Sequence, residues 1–108
     1  MDGADLKVSS AGYLLLARRS DSLTARLGFI IARKKVKRAV DRNRIKRCFR
    51  ENFRLQLADF PPMDIVFLAR QDVGRLDHEA LHDSCRESFR KLLRKAAQLP
   101  ADADRRSS

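Results

Sequence analysis

Apolar positions cluster into five runs along the chain, and their spacing assigns an element to each. Tyr13–Ala17 (YLLLA) and Arg26–Arg33 (RLGFIIAR) are short apolar runs bounded by small and polar residues. Their length and flanks predict two strands, and the short linker Ser20–Thr24 allows them to form an antiparallel hairpin. Both runs are apolar at adjacent positions, so both faces of the sheet should meet other groups. Gly28 within the second run suggests a bulge or a close backbone approach. Over residues 38–58 the period changes. At 100° per residue Ile45, Cys48, Phe49, Asn52, Phe53 and Gln56 fall on one side, which predicts a helix whose apolar stripe is interrupted by two amides. Pro61-Pro62 ends it. MDIVFLAR, residues 63–70, predicts a third strand, and Gln71–Leu76, containing Gly74, a loop. Asp77 is placed to N-cap a last helix over 78–97 that buries Leu81, Cys85, Phe89, Leu92, Leu93 and Ala96, with a basic C-terminal end. The order β-β-α-β-α implies an α+β domain over 11–98, a small mixed sheet with packed helices, between a flexible segment 1–10 and a flexible tail 99–108.

At 108 residues the chain is one domain. It has no apolar run long enough to span a membrane, and no basic-then-apolar start of a signal peptide, so a cytoplasmic location is the expectation. Cys48 and Cys85 fall in different helices and read as reduced, partly buried small residues. His78, His82 and Cys85 share a helical face, but they lack a fourth ligand and a CxxC pair, so no protein-bound metal is expected.

Charge changes the picture most. Residues 33–54 hold 11 of the 24 Lys and Arg and only two acids, Asp41 and Glu51, so +9 of the formal +10 lies in one element. A concentrated basic helix is the footprint of a polyanion. Arg42, Lys46 and Arg50 recur at i, i+4 and i+8, with Asn43, Arg47 and Arg54 beside them. Guanidinium groups make bidentate phosphate contacts and stack on unpaired bases. Asn43, the neutral member of the strip, can read a base edge or a 2′-hydroxyl. Lys34, Lys35, Lys37 and Arg38 extend the footprint ahead of the helix. No nucleophile–base–acid set is suggested. Asp41 and Glu51 stand roughly 15 Å apart in helical rise; Asp41 suits the helix N-terminus and Glu51 an i,i+4 pair with Arg47. No catalytic residue is therefore expected. A DNA-binding basic zipper would need a heptad helix where Pro61-Pro62 and a strand stand. A structural binder of ribosomal RNA remains as an alternative.

The string Lys34-Lys35-Val36-Lys37-Arg38-Ala39-Val40-Asp41-Arg42-Asn43-Arg44-Ile45-Lys46-Arg47, followed by Arg50-Glu51 and Phe53-Arg54, resembles the protein subunit family of bacterial ribonuclease P. Its signature is the triplet Arg42-Asn43-Arg44 in a basic helix after a Lys-Lys loop; RLGFIIARKK, MDIVFLAR and the helix ending FRKLLRKA extend the likeness over residues 11–97. The resemblance implies a ribosomal protein S5 domain 2-like fold with a left-handed βαβ crossover, against the usual hand. It implies an accessory subunit of an endoribonuclease that removes the 5′ leader of precursor tRNA, with catalysis and Mg²⁺ residing mainly in a partner RNA. Arg42, Asn43, Arg44, Lys46, Arg47 and Arg50 would contact that RNA or the nearby leader, and Lys34 and Lys35 would add phosphate contacts. The family also binds the leader in a cleft on one sheet face. Strand alternation gives one face Leu14, Leu16 and Ile30 and the other Tyr13, Leu15, Phe29 and Ile31; the resemblance favours the first as the cleft. Family members usually carry an aromatic amphipathic helix ahead of the first strand, and this chain starts about where that helix should end.

Overall fold

The computed structural model describes residues 5–10, 12–21, 23–70, 73 and 76–98. The expected tail and most of the 71–76 loop, Gly74 included, lie outside these. Four strands, β1 (Leu6–Ser10), β2 (Tyr13–Arg19), β3 (Arg26–Ile30) and β4 (Met63–Ala69), form one sheet, and two α-helices, α1 (Ala39–Gln56) and α2 (His78–Ala97), pack with it, α1 running on into a short 3₁₀ turn over Leu57–Asp59.

The sheet order is β1-β2-β4-β3. This corrects two expectations. Residues 6–10, expected to be flexible, form an edge strand: Leu6 pairs with Ala17 and Val8 with Leu15, and both apolar side chains are buried. The edge is held by Asp5, whose backbone N–H donates to the Ala17 carbonyl at 2.8 Å, and by Lys95 of α2, whose Nζ donates to the Lys7 carbonyl at 2.8 Å. The expected hairpin between β2 and β3 does not form either. β4 inserts between them, antiparallel to β2 and parallel to β3. Parallel neighbours need a crossover, and α1 supplies it. Gly28 makes no bulge: it pairs in register with Val66, and open space lies where its Cβ would be.

Both helices pack on the face carrying Leu6, Val8, Tyr13, Leu15, Ala17, Ile65 and Phe67. The centre is aromatic. Phe49 of α1 stands 4.6 Å from Phe67, 5.2 Å from Tyr13 and 5.8 Å from Phe89, mostly edge-to-face. Tyr13 ties β2 to α2. Its one hydroxyl proton is donated to the Ser84 carbonyl at 3.0 Å, and its oxygen accepts from Ser84 Oγ at 2.7 Å and Ser88 Oγ at 2.6 Å. Burial pushes the Tyr13 hydroxyl above the ordinary tyrosine range, against the pull of these bonds. Gly12, at φ +91°, turns β1 into β2, and its carbonyl accepts from the Arg70 N–H at 2.7 Å.

Candidate nucleic-acid interface

α1 is anchored by Ile45, Cys48, Phe49, Asn52 and Phe53, all buried. Asn52, the amide that interrupts the stripe, is only 5% exposed. It is satisfied twice: Nδ2 donates to the Cys48 carbonyl at 2.9 Å and lies 3.1 Å from His82 Nδ1 on α2. The Cys85 thiol, beneath, is pushed up by its hydrogen bond to Cys48 and by burial, so it keeps its proton.

With that side fixed in the core, the opposite side must face water. Asn43, Lys46, Arg47, Arg50, Glu51 and Arg54 line one shallow groove of about 460 Å³. Five of the six residues of the strip read from the sequence line it, all but Arg42, and Glu51, expected as the i,i+4 partner of Arg47, joins them. Arg47 and Glu51 share the groove but form no ion pair among the described residues, whereas Asp41 pairs with Arg44 at 3.9 Å. The Arg50 guanidinium sits 5.3 Å from the Phe29 ring centroid, which holds it over the sheet edge.

The remaining basic residues divide. Lys34, Lys35, Lys37 and Arg38 are exposed on the loop ahead of α1, and buried Val36 pins that loop to the core. Arg42 turns back on the loop: its Nη1 donates to the Val36 carbonyl at 2.9 Å and the Lys37 carbonyl at 3.0 Å. Arg44 faces the other flank of α1, where a pocket of about 220 Å³ is lined by Arg44, Arg47, Cys48, Glu51, His78 and His82. The triplet Arg42-Asn43-Arg44 therefore points three ways, to the loop, the groove and the interhelical pocket. His78 and His82, read from sequence only as flanks of a structural helix, lie against the basic helix. Their i,i+4 spacing at the start of α2 was the available signal. Among the described residues no group of three or more His, Cys, Asp or Glu is arranged to hold a metal, and no helix is long and apolar enough to cross a membrane.

Leu14, Leu16 and Ile30 do share the face opposite the helices. The register aligns Leu14 with Leu68 and Ile30 in one row, and Leu16 with Val66 and Gly28 in the next. Leu14 and Leu16 are each 7% exposed and Ile30 54%, so the three differ widely in the surface they present. Val66 and Leu68 belong to this face as well; alternation missed them because β4 is apolar at successive positions. A charged row closes the patch, with Arg26 Nε 3.2 Å from Asp64 Oδ1.

Residues 4–96 match the family Ribonuclease P. The chain belongs to the ribonuclease P protein family. It is 46% identical over 89 residues to the ribonuclease P protein component of Chromohalobacter salexigens, covering 82% of this chain and 70% of that protein. The structure of the Thermotoga maritima RNase P protein superposes with a TM-score of 0.65 at 28% identity, covering 83% of this chain and 82% of that one. The Staphylococcus aureus RNase P protein shares the fold, with a TM-score of 0.71 at 24% identity over 81% of this chain and 80% of that one. As a ribonuclease P protein component, the chain is a subunit of a tRNA-processing endoribonuclease, which agrees with its basic, groove-bearing helix.

Proposed function

We propose that the groove on α1 is where this ribonuclease P protein holds the catalytic RNA, near the 5′ leader of precursor tRNA. The observation that carries the reading is the groove itself: Asn43, Lys46, Arg47, Arg50 and Arg54 converge on one rigid helix whose rotation is fixed by buried Phe49 and Phe53. Phosphate contacts set register and orientation, and Asn43 adds a neutral donor and acceptor for a base edge or 2′-hydroxyl. Lys34, Lys35, Lys37 and Arg38 continue the positive field beyond the helix. The sheet face with Leu14, Leu16 and Ile30 takes the leader, and Mg²⁺ is held mainly by the RNA. The protein's contribution is positional: it neutralises phosphate repulsion where two RNAs meet, so the RNA-borne metal centre meets the scissile bond at lower free Mg²⁺.

Reconstitution with the cognate catalytic RNA tests this. Addition of the chain should raise precursor tRNA cleavage at low Mg²⁺, and the stimulation should shrink as Mg²⁺ rises. Cleavage equal to that of RNA alone throughout the Mg²⁺ range would refute the reading.

A further inference from the structure

The pocket between α1 and α2 is lined on one side by His82, whose ring is oriented by the buried Asn52. The Asn52 amide cannot be reversed, because its Nδ2 donates to the Cys48 carbonyl, which only accepts. Its second amide hydrogen is directed at His82 Nδ1, 3.1 Å away. His82 Nδ1 is then the acceptor, and the ring carries its proton on Nε2. One helical turn earlier, His78 is exposed, and its ring centroid lies 4.4 Å from that of His82 at an interplanar angle of 58°. Arg44, Arg47 and Glu51 close the other side of the pocket. Two aromatic faces, a fixed N–H donor, a carboxylate acceptor and guanidinium groups thus border one cavity of about 220 Å³.

We propose that this pocket receives a single unpaired nucleotide, with its base against the His78 and His82 rings and its phosphate towards Arg47. Histidine rings are stacking platforms for splayed bases. Glu51 adds an acceptor for a base N–H. The inference rests on α1 being an RNA-binding helix and adds to it a base-binding site built from α2. Arg47 and Glu51 line both the groove and the pocket, so one strand can follow the groove and insert a base at its side.

The test compares the full chain with its His78→Ala, His78→Phe and Arg47→Ala variants. The His78 side chain is exposed and makes no hydrogen bond among the described residues, so its replacement should leave the fold intact. Affinity for the full-length catalytic RNA is measured across a salt series, and affinity for precursor tRNA in the assembled holoenzyme. His78→Ala should weaken binding about 5- to 150-fold, the loss of one base stack, with an unchanged salt slope, and His78→Phe should restore it. Arg47→Ala should instead flatten the slope by about 0.7–0.9. A His78→Ala loss seen with the catalytic RNA assigns the nucleotide to that molecule; a loss seen only with precursor tRNA assigns it to the leader. If His78→Ala binds both RNAs like the unaltered chain, or His78→Phe is as weak as His78→Ala, while Arg47→Ala still flattens the slope, the pocket holds no base. If Arg47→Ala also leaves the slope unchanged, the RNA-binding reading of α1 falls with it.

Discussion

Arg42 separates contact with RNA from support of the surface that makes it. Its Nη1 is committed to the Val36 and Lys37 carbonyls at 2.9 and 3.0 Å. These bonds fasten the lysine-rich loop to the first turn of α1, where no side chain caps the helix. A bond from a charged donor contributes about 1.5–3 kcal/mol when sheltered. Here the Lys37 carbonyl can turn to water, so Arg42→Ala should cost about 1–2 kcal/mol in all. In a domain of this size that lowers the melting temperature by about 4–15 °C. Arg42→Lys keeps the charge but lacks the planar fork, so it should recover only part of the loss. RNA binding gives the second reading. A phosphate contact contributes about 0.7–0.9 to the log–log salt slope. A residue spent on the loop should leave that slope nearly unchanged when removed, while affinity falls modestly as Lys34, Lys35 and Lys37 lose their fixed placement. Thermal melts and salt-series RNA titrations on the same preparations supply both numbers. An unaltered melting temperature combined with the loss of one full contact from the slope would refute the reasoning, because Arg42 would then face RNA and not the loop.

Three other perturbations are read one observable at a time. Tyr13 is the one tyrosine in a chain without tryptophan, so tyrosinate absorbance reports it alone; the folded protein should titrate above the ordinary value of 10.0, and denaturant should return it there. Because the folded value is raised, this contribution is intact below pH 10, and stability falls as pH climbs past it; Tyr13→Phe should abolish that alkaline component at a cost of about 1–2 kcal/mol. Gly12→Ala would place a Cβ 2.8 Å from Val73 Cα at φ +91°, so a loss of about 1–3 kcal/mol is expected in denaturant unfolding. Gly28→Val meets open space and should leave stability within about 0.5 kcal/mol. It adds bulk beside Val66 and Leu16, so if that face takes the leader, affinity for precursor tRNA should fall while affinity for mature tRNA stays unchanged.

The helices were legible because local rules suffice for them. Buried residues recur every 3.6 positions in both, Pro61-Pro62 stops the first, and the Asp77 carboxylate caps the second, accepting from the Ala80 N–H at 2.7 Å. The sheet was less legible because pairing is not local. Leu6 and Val8 are two apolar residues in a polar segment, and only the neighbouring β2 makes them a strand. A short linker between β2 and β3 suggested a hairpin, yet β4, more than thirty residues on, takes the position between them. Asn52 looked like a flaw in an apolar stripe because its partner, His82, is thirty residues away.

The same contrast divides the site. The basic strip was readable because it sits opposite the apolar stripe of one helix, and both follow from one periodicity. The interhelical pocket was not, since it exists only once α2 packs on α1. That packing also explains why so concentrated a charge is tolerated. Rotating α1 by one residue, about 100°, would turn Arg50 and Arg54 towards the sheet in the places that Phe49 and Phe53 now fill. The aromatic contacts of Phe49 with Phe67 and Tyr13, and of Phe53 with Phe60 and Phe89, oppose that rotation. The core thus fixes the angle at which the cations face outward, and repulsion among them is left to be relieved by an external polyanion.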